Sequence, residues 1–335
     1  MVLLNGRSVL GPMDTDGRDL VALMAEAEGM DTPVWIDVHR PDEEVRRMLL
    51  DDLAFEELAV EDVFGYAPTS VQRFGNDRVL VINARDADNR LDTEPVSVFL
   101  RGSVLMTLRR AEIPAMKAFG RRLKEADAED LALGVDFLLY ELLDTIADDW
   151  APRLTAYSDA LDRLEHQIFT HEGRDAGILE ELHDLKRHLR EAAKSIESLH
   201  FVVIRLLKPG DHLVSVGTHH YFNDVQQLVG ALMRRANNYS QGATSARESH
   251  ISNVNLRLAK TNARLSEVMT TLTITGAIML PLTLIAGIFG MNTALPVQAE
   301  SLGGFWGIIG LMVLFAMVML TFFWRRGWLS NPNDD

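Results

Sequence analysis

Two stretches of this chain, Val268 to Ala299 and Ser301 to Trp324, contain no charged side chain, and the lone Glu300 separates them. Each is as long as or longer than the roughly 20 apolar residues that cross a bilayer as a helix. They predict two transmembrane helices at the C-terminal end of the chain. Upstream the pattern is that of a soluble domain, with short apolar runs broken by charge. "VWIDV" at 34–38 reads as a buried strand. "HRPDEEVRRMLLDDL" then opens a helix with Pro and acidic residues and sets Val45, Met48, Leu49 and Leu53 on its apolar side. Further strands are expected at 78–85, 94–102 and 103–110, the last two joined by a tight Arg-Gly turn. From about residue 137 the spacing becomes helical. One helix is expected over 138–169 and a second over 177–207. A third starts near Tyr221 and meets no Pro until Pro281, a run of about 60 residues and roughly 90 Å as a helix.

The expected fold is an α+β cytosolic domain followed by a long helical stalk and two C-terminal transmembrane helices. The segments are 1–150 for the α+β domain, 151–267 for the helices and the cytosolic part of the stalk, 268–291 for the first span, 292–304 for the connecting loop, 305–325 for the second span and 326–335 for a basic tail. Lys260 and Arg264 precede the first span, Arg325 and Arg326 close the second, and the loop between has no Lys or Arg. The positive-inside rule therefore places both chain ends in the cytoplasm and the loop outside. The opening "MVLLNGRSVLGPMDTDGRD" lacks the continuous apolar run of a signal peptide, which agrees with a cytosolic N-terminal domain.

Charge sharpens this picture. Residues 266–335 carry Glu267, Glu300, Asp334 and Asp335 against Arg325 and Arg326, a net of −2, which leaves −13 on the first 265 residues of a total of −15. Such a domain repels nucleic acid and attracts cations. The chain has no cysteine, so neither disulfides nor thiolate metal sites are available. It contains no G-x-S-x-G, H-E-x-x-H or glycine-rich phosphate loop. The pairs His166/His171 and His183/His188 are spaced by five, off the i, i+4 face that a zinc pair uses, and read as solvated helix histidines. No enzymatic activity is expected. Two spans cannot enclose a water-filled path, so transport by this chain requires several copies around an axis.

With "GMN" at 290–292 after a Pro-containing first span and "FFWRRGWL" at 322–329 closing a second, the sequence resembles the CorA superfamily of divalent-cation transporters. "WIDVHRPDEE" (35–44), "AVEDVFG" (59–65), "FLLYELLDTIADDW" (137–150), "YFNDV" (221–225) and "SEVMTTLTITGAIMLPLTLIAGIFGMN" (266–292) carry the resemblance over nearly the whole chain. It implies a funnel-shaped homopentamer in the inner (plasma) membrane, with five copies of the first span lining a pore for influx of Mg²⁺, with Co²⁺ or Ni²⁺ as further cargo. Gly290, Met291 and Asn292 are then the selectivity filter. Met269, Leu272, Gly276, Leu280, Thr283, Gly287 and Gly290 recur at three- and four-residue intervals on one helix face and become the pore lining, and Asp224 becomes a regulatory carboxylate for cytosolic Mg²⁺. Arg325 and Arg326 form a cytosolic basic cluster. No cofactor is implied beyond the metal ion as cargo and regulator, and the partners are further copies of the chain, the lipid bilayer and divalent ions. The loop ending "GGFW" is similar to the ZntB-like branch, which implies Zn²⁺, with proton coupling, as the neighbouring alternative. A non-conducting, membrane-anchored scaffold is a further alternative. Three positions also have simpler readings. Thr283 has the carbonyls of its own helix within reach, Asn292 is suited to a left-handed helix cap, and Pro281 loosens or kinks its helix.

Overall fold

The computed structural model describes residues 2–4, 8–10, 18–28, 33–65, 68–87, 93–170, 175–208, 213–291 and 302–328. The chain forms two compact units, Met1–Ser249 and His250–Asp335, with the division inside the longest helix.

The first unit is built on a seven-stranded sheet of β1 (Val2–Leu4), β2 (Ser8–Leu10), β3 (Val34–His39), β4 (Ser70–Phe74), β5 (Asp77–Arg85), β6 (Thr93–Arg101) and β7 (Val104–Arg109), in the order β2-β1-β3-β7-β6-β5-β4. The helices that cover it are α1 (Arg18–Glu28), α2 (Glu43–Arg47), α3 (Glu57–Phe64), α4 (Pro114–Glu125), α5 (Ala128–Leu131), α6 (Val135–Asp148), α7 (Trp150–Thr170), α8 (Asp175–Leu206) and the beginning of α9 (His219–Phe289). Successive residues of a strand point to opposite faces, so both faces of the central strands must find cover. Trp35 and Leu105 enter a core with α4, α6, α7, α8 and α9. Their neighbours Val34, Ile36, Val104 and Met106 enter a second core with α1, α3 and the π-helical turn Met48–Asp52 that continues α2.

Strands β3 and β7 run parallel, and the other pairings are antiparallel. The β4–β5 and β6–β7 hairpins close through two-residue loops whose first residue is glycine at positive φ, Gly75 at 60° and Gly102 at 54°. A side chain there would meet the left-handed penalty that glycine avoids. The β3–β7 pair is pinned by Arg109 on Asp37 at 2.8 Å, and Thr107 joins in by donating to Asp37 Oδ1 while accepting from Trp35 Nε1.

The single helix expected over 138–169 is two helices, α6 and α7, interrupted at Asp149. Pro152 is the cause, because its ring clashes with the carbonyl four residues back and it has no N–H to donate. Arg85 secures the interruption with a bidentate pair to Asp149 at 2.7 and 2.9 Å. The α8 helix matches its expected span. The edge strand β4, the short strands β1 and β2 and helices α1, α3, α4 and α5 are additions that periodicity did not mark.

The expected third helix is longer than 60 residues. α9 covers 71 and stays helical through Pro281 to Phe289. Its first turns bury Phe222, Val225, Val229, Leu232 and Ala236, a three- and four-residue stripe, in the core shared with α6, α7 and α8. The start of α9 is held by Asp136 of α6. This buried carboxylate accepts from Phe137 N at 3.1 Å, Ser215 N at 2.9 Å and Thr218 Oγ1 at 2.5 Å.

The second unit consists of the rest of α9 and helix α10 (Leu302–Arg325). Both helices are long and apolar enough to cross a bilayer.

Candidate ion pathway

The part of α9 after Glu267 carries no charge, and it has a distinct inside and outside within its own chain. Ile274 is 7% exposed. Ala277, Ile278, Pro281, Leu282, Ile285 and Phe289 are half-buried, and at 100° per residue they share Ile274's side of the helix. Met269, Leu272, Leu280, Thr283, Gly287 and Gly290 lie on the opposite face and are exposed, Leu280 at 74%, while Gly276 on the same stripe is half-buried. The sequence-marked residues are thus brought onto one face that the chain leaves bare.

A Cβ added at Gly276 or Gly287 meets nothing within 4 Å. Inside one chain, neither glycine is required by packing. At Gly290 the added atom would stand 3.1 Å from the Ala286 carbonyl, where the helix ends with Gly290 N bonded to that same oxygen at 2.9 Å. Met291 follows, its N–H on the Ile288 carbonyl at 3.3 Å. Asn292 and the loop up to residue 301 lie outside the described residues.

Thr283 does bond to its own helix: its hydroxyl donates to the Met279 carbonyl at 2.8 Å. The donation uses the proton and leaves the oxygen lone pairs free, so on this face Thr283 acts as an acceptor. A hydrated cation presents water hydrogens outward and is met by acceptors. Pro281 has no N–H for the Ala277 carbonyl, yet the helix remains continuous across it.

On α10, Trp306 and Trp324 are exposed and stand 18 residues apart, a rise of about 27 Å. That separation approaches the roughly 30 Å hydrocarbon thickness at whose edges tryptophan collects. Arg325 and Arg326 follow directly.

In the first unit, Asp224 is exposed on α9. Its neighbourhood is acidic. Arg122 of α4 binds Asp144 at 2.6 Å, also binds Asp148, and stands 3.5 Å from Glu141, these three acids forming one face of α6. Burial pushes the Asp144 carboxyl up, the Arg122 bond pulls it down, and the charges of Asp148 and Asp224 push it up again. Burial likewise raises Glu141, whose Oε2 has no hydrogen-bond partner. Among the described residues, no three His, Asp or Glu side chains come together as a metal-holding group. Asp224 is therefore not part of a complete site among the described residues.

The whole chain is similar to several known proteins. A cobalt/magnesium transport protein CorA from Thermotoga maritima is 27% identical over 305 residues, covering 89% of this chain and 84% of that protein. A putative metal ion transporter, YfjQ, from Bacillus subtilis is 26% identical over 301 residues, covering 88% of this chain and 90% of that protein. The complete structure of the CorA magnesium transporter from Methanocaldococcus jannaschii superposes with a TM-score of 0.64 at 21% identity, over 89% of this chain and 92% of that one. The family model described as CorA-like Mg²⁺ transporter protein matches residues 31–326, and the chain therefore belongs to this family of divalent metal ion transporters, which are membrane proteins and not enzymes.

Proposed function

We propose that the protein is a homopentameric channel for divalent cations, carrying Mg²⁺ inward across the inner (plasma) membrane, with Co²⁺ and Ni²⁺ as further cargo. The observation that carries this reading is the bare stripe from Met269 to Gly290, set opposite the face that Ile274 buries. Copies arranged around an axis turn five such stripes toward one another, five being the number implied by the family resemblance. The open space at Gly276 and Gly287 then becomes part of a pore.

In this reading Asn292, with Gly290 and Met291, forms the outer filter. Mg²⁺ gives up its waters reluctantly, so a ring of neutral amide oxygens holds it through its hydration shell without the barrier of stripping it. Thr283 supplies a second, acceptor-only ring deeper in. Leu280, Leu272 and Met269 form apolar constrictions that gate by dewetting. An inside-negative potential supplies about 2.3 kcal/mol per charge per 100 mV, hence roughly 4.6 kcal/mol for a divalent ion. Influx needs no other energy source. Both termini lie in the cytoplasm, following the basic residues around the spans. Asp224 takes part in a regulatory metal site completed by a neighbouring copy, and occupancy of that site closes the pore. The segments given from the sequence, 1–150, 151–267, 268–291, 292–304, 305–325 and 326–335, are the functional divisions of this scheme.

The test is flux of Mg²⁺, Co²⁺, Ni²⁺ and Zn²⁺ into proteoliposomes with and without a pH gradient. Potential-driven Mg²⁺ flux indifferent to the proton gradient is expected. Zn²⁺ flux that rises with a proton gradient contradicts the choice of metal, and the absence of any metal flux leaves the scaffold reading.

A further inference from the structure

We propose that the face of α10 between Leu314 and Arg326 seats one anionic phospholipid of the leaflet at that end of the helix. This rests on α10 spanning the membrane and is independent of which face of α9 conducts. The seat is a trough of about 620 Å³. Leu314, Met317, Val318 and Phe322 wall it along about two turns, and all four are exposed in the chain. The one hydroxyl in the trough, Thr321, already donates to the Met317 carbonyl at 2.6 Å and offers an acyl chain no unsatisfied proton.

Arg325 and Arg326 close the end of this apolar lane. Helix α10 contains no acidic residue, and among the described residues neither arginine forms an ion pair. Arg326 is held over the Phe322 ring, 5.5 Å from its centre. The backbone turns immediately afterwards: Gly327, at φ 74°, donates to the Trp324 carbonyl at 3.0 Å, and Trp328 N donates to the Phe323 carbonyl at 3.0 Å. These are the two bonds of a Schellman cap, completed by its usual apolar contact, the Trp328 ring stacked 5.6 Å from Phe323. The cap stops the helix just past the arginines and sets Trp324 and Trp328, both exposed, beside them at headgroup level. An apolar lane ending in two guanidiniums that form no ion pair among the described residues is complementary to an amphiphile with a fatty tail and an anionic head. A choline headgroup places a cation where the arginines already stand.

The full-length protein, with Trp306→Phe so that Trp324 and Trp328 report on the membrane, is reconstituted in phosphatidylcholine bilayers containing brominated phosphatidylglycerol or, at equal mole fraction, brominated phosphatidylcholine. Quenching is expected at several-fold lower mole fraction for the glycerol lipid. Arg325→Gln with Arg326→Gln should abolish the preference, while Arg325→Lys with Arg326→Lys should keep it in a protein that elutes as the same assembly. Equal quenching by both lipids, or a preference that survives the glutamines, overturns the proposal. A preference erased by millimolar inorganic phosphate reduces the site to free-anion binding and overturns the lipid seat. Efficient oxidative cross-linking of Met317→Cys between copies, in a chain otherwise free of cysteine, shows a second copy on this face and also overturns it.

Discussion

Leu272 and Ile274 stand two positions apart on α9 and face opposite ways, Leu272 67% exposed and Ile274 7% exposed. A polar residue should therefore have opposite consequences at the two sites. Leu272→Asn wets an apolar ring and is expected to raise resting metal flux several-fold while leaving assembly intact. Ile274→Asn buries an amide without partners, at a cost of roughly 1–3 kcal/mol, and is expected to lower the yield of assembled protein. Flux per assembled particle and elution profile separate the two.

Asp136 is the polar anchor at the start of α9. Removing its carboxylate takes the acceptor from Ser215 N–H and leaves the Thr218 hydroxyl only its longer contacts to Ser215. Asp136→Ala is expected to lower stability by roughly 2–4 kcal/mol and Asp136→Asn, which keeps one acceptor oxygen, by about half as much. Denaturant midpoints of the purified protein read both.

Glu141 and Asp144 predict a pH dependence with a definite sign. Burial holds both carboxyls above their ordinary range in the folded state, so the folded chain binds these protons more tightly than the unfolded one. Their favourable contribution is complete below the unfolded carboxylate pKa and is lost as pH rises through the raised folded value. Glu141→Gln is expected to flatten the acid side of the stability profile and to raise the unfolding temperature at neutral pH. Thermal unfolding from pH 4.5 upward checks it, and an unchanged slope contradicts the assignment.

Asp224, exposed and outside any metal-holding group among the described residues, is expected to act across a boundary between copies. Asp224→Ala should leave flux at low internal Mg²⁺ unchanged and weaken its inhibition by internal Mg²⁺ several-fold. Flux titrated against internal Mg²⁺ decides, and identical inhibition curves remove Asp224 from regulation.

Much of this was legible in the sequence for definite reasons. Strands β3, β5, β6 and β7 announce themselves as apolar runs because the sheet is covered on both faces. The length of α9 follows from the lack of any proline before Pro281. Strand β4 gave no signal, since Gln72 and Arg73 break its apolar run and Val71 and Phe74 are only partly buried against the two cores. Strands β1 and β2 are too short, at three residues each, to show a period. The stripe from Met269 to Gly290 was visible in its spacing, but only the burial of Ile274 shows which side of the helix the chain keeps for itself. Asp136 carried no sequence signal, because an aspartate at a helix start is ordinary until Ser215 and Thr218 arrive 79 and 82 residues later.

The central claim is that the Met269–Gly290 face conducts. Because the chain has no cysteine of its own, single cysteines can be placed at Thr283 and Gly287 on that face and at Ile278 and Leu282 on the other, and metal flux measured before and after a charged thiol reagent. Block is expected at Thr283→Cys and Gly287→Cys with flux preserved at Ile278→Cys and Leu282→Cys. Block at 278 and 282 with free flux at 283 and 287 would contradict it.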